Sequence, residues 1–150
     1  MASAQAVSLI YHDVFDGLEH QRSGFPSSDA AIYKLETTQF AAHMKALSLV
    51  LPEKPHCVLS LGRLEQGISF FLTFDDGAEK DPKFVTMMRE LKIPFTMFLT
   101  DAAIRADYGY FKPLQHLGDG VQNHTLTHPN LRTLGASAQK QEICGQQTKL

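Results

Sequence analysis

The chain has 150 residues, which suits one domain able to hide roughly two thirds of its unfolded surface. Hydrophobic residues make up 43% and charged residues 20%, the usage of a globular protein rather than a disordered one. With 14 Lys and Arg against 16 Asp and Glu, the formal charge is -2, which excludes the strong positive field that selects nucleic acid or an anionic membrane.

The N-terminus, Met1 to Val7, has neither a basic start nor a long apolar stretch, and no apolar run approaches the roughly 20 residues needed to span a bilayer. As written, the chain is expected to be cytoplasmic, without an export signal or membrane anchor. Val7 to Tyr11 reads as a first short strand, followed by a long Gly-, Ser- and Pro-rich loop from Asp16 to Asp29. Phe40, Met44, Leu47 and Leu51 recur at helical spacing behind Thr37 and Thr38, an amphipathic helix with candidate caps that Pro52 and Pro55 end.

Ile68 to Phe74 is a continuous apolar run with Gly67 before it and Asp75-Asp76-Gly77 after it, the profile of a strand buried on both faces. Phe84, Met88 and Leu91 mark the next helix, Lys92-Ile93-Pro94 closes it, and Phe95 to Leu99 is a second buried strand. A helical stretch around Leu114 to Leu117 leads to a short strand near Val121, and Leu131 to Leu150 reads as a final, weakly amphipathic helix. Strands alternating with helices predict an α/β fold with a parallel sheet, in which ligands bind at the carboxyl ends of the strands. Cys57 and Cys144 are far apart and form no C-x-x-C pair, so they are expected to be reduced structural thiols, although the sequence leaves a single bridge open.

Two polar clusters fall at those strand ends. Asp75 and Asp76 are adjacent carboxylates closing an apolar strand, where desolvation and mutual repulsion call for a cation or hydrogen-bond donors. Neighbouring residues at a strand end point in different directions, so one can hold a metal while the other faces water or substrate. Taken alone, Asp-Asp-Gly reads at least as well as a plain turn. The second cluster, His124-Thr125-Leu126-Thr127-His128-Pro129, sets two imidazoles four residues apart, a usual spacing for paired ligands and equally that of two surface histidines. Pro129 disfavours the helical region for His128, which places the pair on a strand end and the following turn. Together the clusters offer two histidines and a carboxylate, a facial set with coordination positions left open. A divalent ion held this way polarises a carbonyl and brings the pKa of its water to about 7, leaving Asp75 to accept the proton.

At these residues the chain resembles the polysaccharide deacetylases, also called the NodB homology family or carbohydrate esterase family four. Thr73-Phe74-Asp75-Asp76-Gly77 is similar to their first motif and Asn123 to Pro129 to their second, with Pro94 to Leu99 resembling the strand between. Tyr11-His12-Asp13-Val14, Phe25, Tyr33-Lys34-Leu35 and Phe40 to His43 are similar to the lead-in of one branch. The resemblance implies a partial distorted (β/α) barrel, with residues 1–66 as a lead-in and 67–150 as the N-terminal part of the deacetylase domain. It implies that Asp76, His124 and His128 bind a divalent metal, often zinc, and that Asp75 is the base. The substrate implied is an acetylated oligo- or polysaccharide that loses N-acetyl, sometimes O-acetyl, groups. Two other readings remain: a non-catalytic metal-binding fragment, and a related hydrolase acting on non-sugar amides.

The pattern departs from the family in places. Gln122 stands where Gly is usual, and Asp119-Gly120 replaces a more usual pair. No Arg-x-Pro-Tyr, later Asp-Trp or Leu-x-His motif occurs, so the chain is expected to be truncated after the second motif and, on its own, to bind metal but turn over poorly. His12, His20, His43, His56 and His116 match none of the missing pieces and are assigned nothing, His12 being the most interesting because it ends the first strand.

Overall fold

Apolar runs and amphipathic stretches alternate as strands and helices in the computed structural model, which describes residues 4–17, 28–51, 55–57, 66–76, 82–106, 108–116 and 120–150. In chain order these are β1 (Ala4–Tyr11), β2 (Asp13–Phe15), β3 (Lys34–Glu36), α1 (Thr37–Val50), β4 (Gly67–Asp76) and α2 (Pro82–Leu91). There follow β5 (Thr96–Leu99), α3 (Asp101–Ala106), α4 (Tyr108–His116), β6 (Gly120–Asn123) and α5 (Ala136–Gln147). Four strands make one parallel sheet in the order β1-β4-β5-β6, and β2 pairs with β3 separately. The result is an α/β fold with helices against a parallel sheet, as expected for part of a NodB-type barrel. Among the described residues the sheet does not close.

The apolar run before the two aspartates behaves as a central strand only in its second half. Phe71, Leu72, Thr73 and Phe74 are all buried, whereas Ile68 is 53% exposed. Packing concentrates where the site lies. Phe40 and Met44 of α1, Met88 of α2, Met97 and Leu99 of β5, Phe111 and Leu114 of α4, and Val121 of β6 join Leu72 and Phe74 in one core. Phe74 makes edge-on contacts with Phe40 and Phe95, at centroid distances of 5.7 Å for each, and lies 5.6 Å from Tyr11 in a stacked arrangement. Such pairs add to the burial of the rings, and they fix the residue that immediately precedes Asp75.

Several expectations need correction. The first strand begins at Ala4, and α1 is capped by Glu36 rather than by Thr37 or Thr38. The Glu36 N–H donates to Gln39 Oε1 (3.1 Å), while Thr37, already within the helix, donates its hydroxyl to the Phe15 carbonyl (2.9 Å) and ties the helix start to a neighbouring strand. The helix ends at Val50, with Leu51 extended as befits a residue that precedes proline. The long loop read from Asp16 to Asp29 lies largely outside the described residues, and its last residues enter a 3-10 turn, Ser28–Tyr33. The helix read around Leu114 to Leu117 is α4, which begins earlier, at Tyr108, and ends at His116, while the short α3 before it was not anticipated. At the end of the chain the helix begins at Ala136, not Leu131. Asn130 caps a 3-10 turn over Leu131–Thr133 by accepting from Arg132 N, and Gly135 sits extended between the turn and α5.

Cys57 is buried, Cys144 is exposed, and neither is in a disulfide. No helix among the described residues is long and apolar enough to cross a membrane. Gly120 opens β6 against buried neighbours: a Cβ there would stand 2.8 Å from Thr96 Oγ1 and 3.2 Å from Cys57 Sγ. Thr96 is fully buried and has no room to yield. Gly120→Ala should therefore cost about 1–3 kcal/mol of stability, as other overpacked cores do, read as a lower midpoint in urea. An unchanged midpoint would mean that β6 shifts freely.

Candidate metal centre

Strand register brings the two clusters together. Asp75 pairs with Phe98 and Asp76 with Leu99 across β4 and β5, and Leu99 pairs with Asn123 across β5 and β6. Asp76, Leu99 and Asn123 thus form one row at the carboxyl end of the sheet, and His124 is one residue beyond it. Its N–H donates to the Leu99 carbonyl (3.0 Å), continuing the ladder. Backbones two strands apart are separated by roughly 10 Å, so the side chains meet above the end of β5.

Asp76 leaves the strand at φ 70, and Thr125 and His128 take φ 67 and 54, all in the left-handed region that non-glycine residues seldom occupy. For His128 the following proline closes the right-handed helical region but on its own favours extended backbone, so the positive φ is imposed by the turn. Local bonds hold the turn: Thr125 N donates to Asn123 Oδ1 (2.8 Å) and His128 N to Thr125 Oγ1 (3.1 Å).

Three side chains converge as a result. His124 Nε2 is 3.0 Å and His128 Nε2 3.4 Å from Asp76 Oδ1, and one ligand atom from each residue lies within 4.8 Å of the others. The two rings are 4.9 Å apart. Asp76 Oδ1 is closed to solvent and completes no well-formed hydrogen bond, although both imidazole nitrogens lie close to it. A buried carboxylate oxygen left this way is costly. Donors about 2.1 Å from a tetrahedral zinc stand about 3.4 Å apart, near the two separations from Asp76 Oδ1. On the orphaned oxygen and the donor types, the set fits a divalent cation. Asp75 lies beside the cluster, its Oδ2 4.0 Å from His124 Nε2.

The two aspartates differ in acidity. Burial pushes the Asp75 carboxyl up, as does the Asp76 charge, while His124, His12 and His128 pull it down less strongly, so its pKa is raised. Burial also pushes Asp76 up, but its contact with His124 and the fields of His128, His124 and His12 outweigh this, and its pKa is lowered. His124 is raised, chiefly by the Asp76 contact and further by both carboxylate charges, against an opposing effect of burial.

In the metal-free chain, the raised His124 contributes stability that is complete below about pH 6.5 and lost as pH climbs through its folded pKa. The lowered Asp76 contributes stability present above about pH 3.9 and lost as pH falls through its own. A cation requires neutral His124 and so competes with that proton. Zinc affinity should rise about tenfold per pH unit below the His124 pKa and level off above it. A dissociation constant that stays flat across the His124 titration would contradict the arrangement.

All four residues singled out from the sequence meet here, while Gly77 lies outside the described residues. Of the histidines that the sequence reading left unassigned, His12 is the one at the site: Tyr11 pairs with Phe74, so His12 stands level with Asp75, and its charge reaches both aspartates. Its ring packs on Tyr33 at 4.8 Å. Its place directly after an apolar strand was the available signal. His43 instead meets Tyr11 Oη (3.4 Å) and His56 bridges to Phe71, while His20 and the His116 side chain lie outside the described residues.

Residues 65–150 match the family described as Polysaccharide deacetylase. The chain is similar to an uncharacterized protein of Streptomyces coelicolor, 54% identical over 80 residues that make up 53% of this chain and 32% of the relative. It is also similar to a chitooligosaccharide deacetylase of Sinorhizobium fredii, 33% identical over 69 residues, 45% of this chain and 32% of that protein. The matches thus span about a third of the length of these curated relatives. No solved structure matches the chain.

Proposed function

The chain belongs to the polysaccharide deacetylase family, and from that premise we propose that it serves metal-dependent hydrolysis of N-acetyl, or O-acetyl, groups on a carbohydrate. The observation that carries this reading is the convergence of Asp76, His124 and His128, with Asp75 alongside but outside the set. Asp76, His124 and His128 hold the cation, for which zinc is the first choice given two nitrogen donors and one oxygen. When bound, such a cation supplies Lewis acidity that polarises the acetyl carbonyl and acidifies a water.

Asp75 accepts the proton of the attacking water. Its raised pKa suits that task, because a base is most effective when its pKa lies nearer the working pH. Asp76 stays ionised over the same range and is therefore the ligand of the pair. The departing amine also needs a proton, and the motif that carries this acid in the family does not occur within these 150 residues. His128, 59% exposed, leaves one side of the cluster open to a bulky, neutral substrate.

Acetylated chitooligosaccharides are the first substrates to test, on the name of the Sinorhizobium relative. The experiment is acetate release from a panel of acetylated oligosaccharides, measured with metal content. Release that tracks bound metal supports the reading, whereas release indifferent to chelation, or confined to non-sugar amides, overturns it.

A further inference from the structure

The histidine loop has two anchors of different kinds. His124 is tied to the sheet through its own N–H, whereas the His128 N–H bonds within its own turn, to Thr125. What fixes that turn against the rest of the molecule is α5. Leu126 N donates to the Glu142 carbonyl (3.2 Å). Thr127 N donates to Glu142 Oε2 and Thr127 Oγ1 donates to Glu142 Oε1, both at 2.9 Å. One residue in the middle of a helix thus takes three hydrogen bonds from the two residues between Thr125 and His128.

Gly145, one turn further along α5, lets the loop come this close: a Cβ there would stand 2.9 Å from Leu126 Cδ1. The helix is itself seated from behind, by Gln146 Nε2 donating to the Leu99 carbonyl (3.0 Å). A rigid path therefore runs from β5, through α5, to the loop.

We propose that Glu142 is a positioning residue for the metal site, its carboxylate clamping Thr127 so that the turn presents the His128 imidazole to Asp76. This rests on the metal reading above. Charge-assisted bonds of this kind are short and directional, and left-handed residues such as Thr125 and His128 persist only where their surroundings hold them. Glu142 touches no ligand, so its effect passes wholly through the loop.

The test is a zinc competition titration, with the visible spectrum of bound Co2+ as a second readout, on the parent chain and on Glu142→Ala, Glu142→Gln and Lys149→Ala. Glu142→Ala should weaken zinc about 10- to 100-fold, the usual effect of losing a partner behind a ligand, and should alter the cobalt spectrum. Glu142→Gln should restore both, since an amide can accept from Thr127 N and donate to Thr127 Oγ1. Lys149→Ala removes the ion pair that Lys149, beyond the end of α5, makes with Asp101 of α3 (2.8 Å), off the path from β5 through Gln146 to the loop, and should lower the melting temperature while leaving zinc affinity at the parent value. If the parent binds zinc and Glu142→Ala binds it equally well, the proposal fails and the metal reading stands. If Glu142→Gln is as weak as the alanine variant, or Lys149→Ala is equally impaired in zinc binding, the clamp is not what positions His128. A parent chain without zinc affinity overturns both readings together.

Discussion

Asp76→Ala is expected to lower zinc affinity by about two to three orders of magnitude and to abolish most of the thermal shift that zinc confers. Apparent binding free energies of four-ligand zinc sites run to about 10–16 kcal/mol, so one ligand of a smaller set is worth several kcal/mol, at about 1.4 kcal/mol per factor of ten. Asp76 is the member on which the others converge, with both imidazole nitrogens within 3.4 Å of its Oδ1. Its removal also takes away the contact that raises His124, so the remaining imidazole loses its proton more readily and offsets a little of the loss.

His124→Ala and His128→Ala should fall in the same direction, with His128 the milder because it is the more exposed. Zinc at 100 times the dissociation constant of the parent should add about 2.7 kcal/mol of apparent stability, and next to none in the Asp76 variant. Competition titration and thermal unfolding at fixed pH decide this. Parent-like affinity in all three variants would sink the site.

Asp75→Asn should separate chemistry from metal binding. The amide keeps the size of the carboxylate but accepts no proton from water, so acetate release should fall about 10²- to 10⁴-fold while zinc stays bound. Asp75 is not among the three convergent ligands, and its nearest histidine nitrogen is 4.0 Å away. Loss of its charge should slightly ease deprotonation of His124, since Asp75 contributes to the raised value there, but it also removes a negative charge beside the dication, so zinc affinity should stay close to that of the parent. The measurement is acetate release and metal content side by side, on a preparation whose parent is active. A variant that hydrolyses acetylated sugar as fast as its parent removes Asp75 from the role of base. One that loses zinc in step with activity moves Asp75 into the ligand set.

Much of the architecture was legible before any coordinates. Ile68 to Phe74 is apolar and aromatic enough to read as a buried strand, as its second half is, and a strand that stops at two carboxylates puts them at a sheet's carboxyl end, where the alternation of strand and helix says a ligand belongs. Likewise His124 and His128, with Pro129 after them, are confined to a strand end and turn by backbone sterics alone. Short elements were less legible. The six residues of α3 are too few to display a helical period, and the start of α5 depends on Asn130 and Gly135, whose capping roles compete with a helix reading of the same stretch.

What only the tertiary structure decided is which atoms meet. Register along parallel strands is set by pairing between segments far apart in the chain, so the row Asp76, Leu99, Asn123 is invisible in any single segment. The same holds for His12, carried level with Asp75 by the pairing of Tyr11 with Phe74. Acidity follows contact: burial and the charges around each carboxyl, not its place in Asp-Asp-Gly, raise Asp75 and lower Asp76. Glu142 shows the limit most clearly, because an acidic residue midway along a weakly amphipathic helix has nothing in its own neighbourhood to distinguish it from a solvated charge, and it becomes a clamp only when packing brings Thr127 within 2.9 Å.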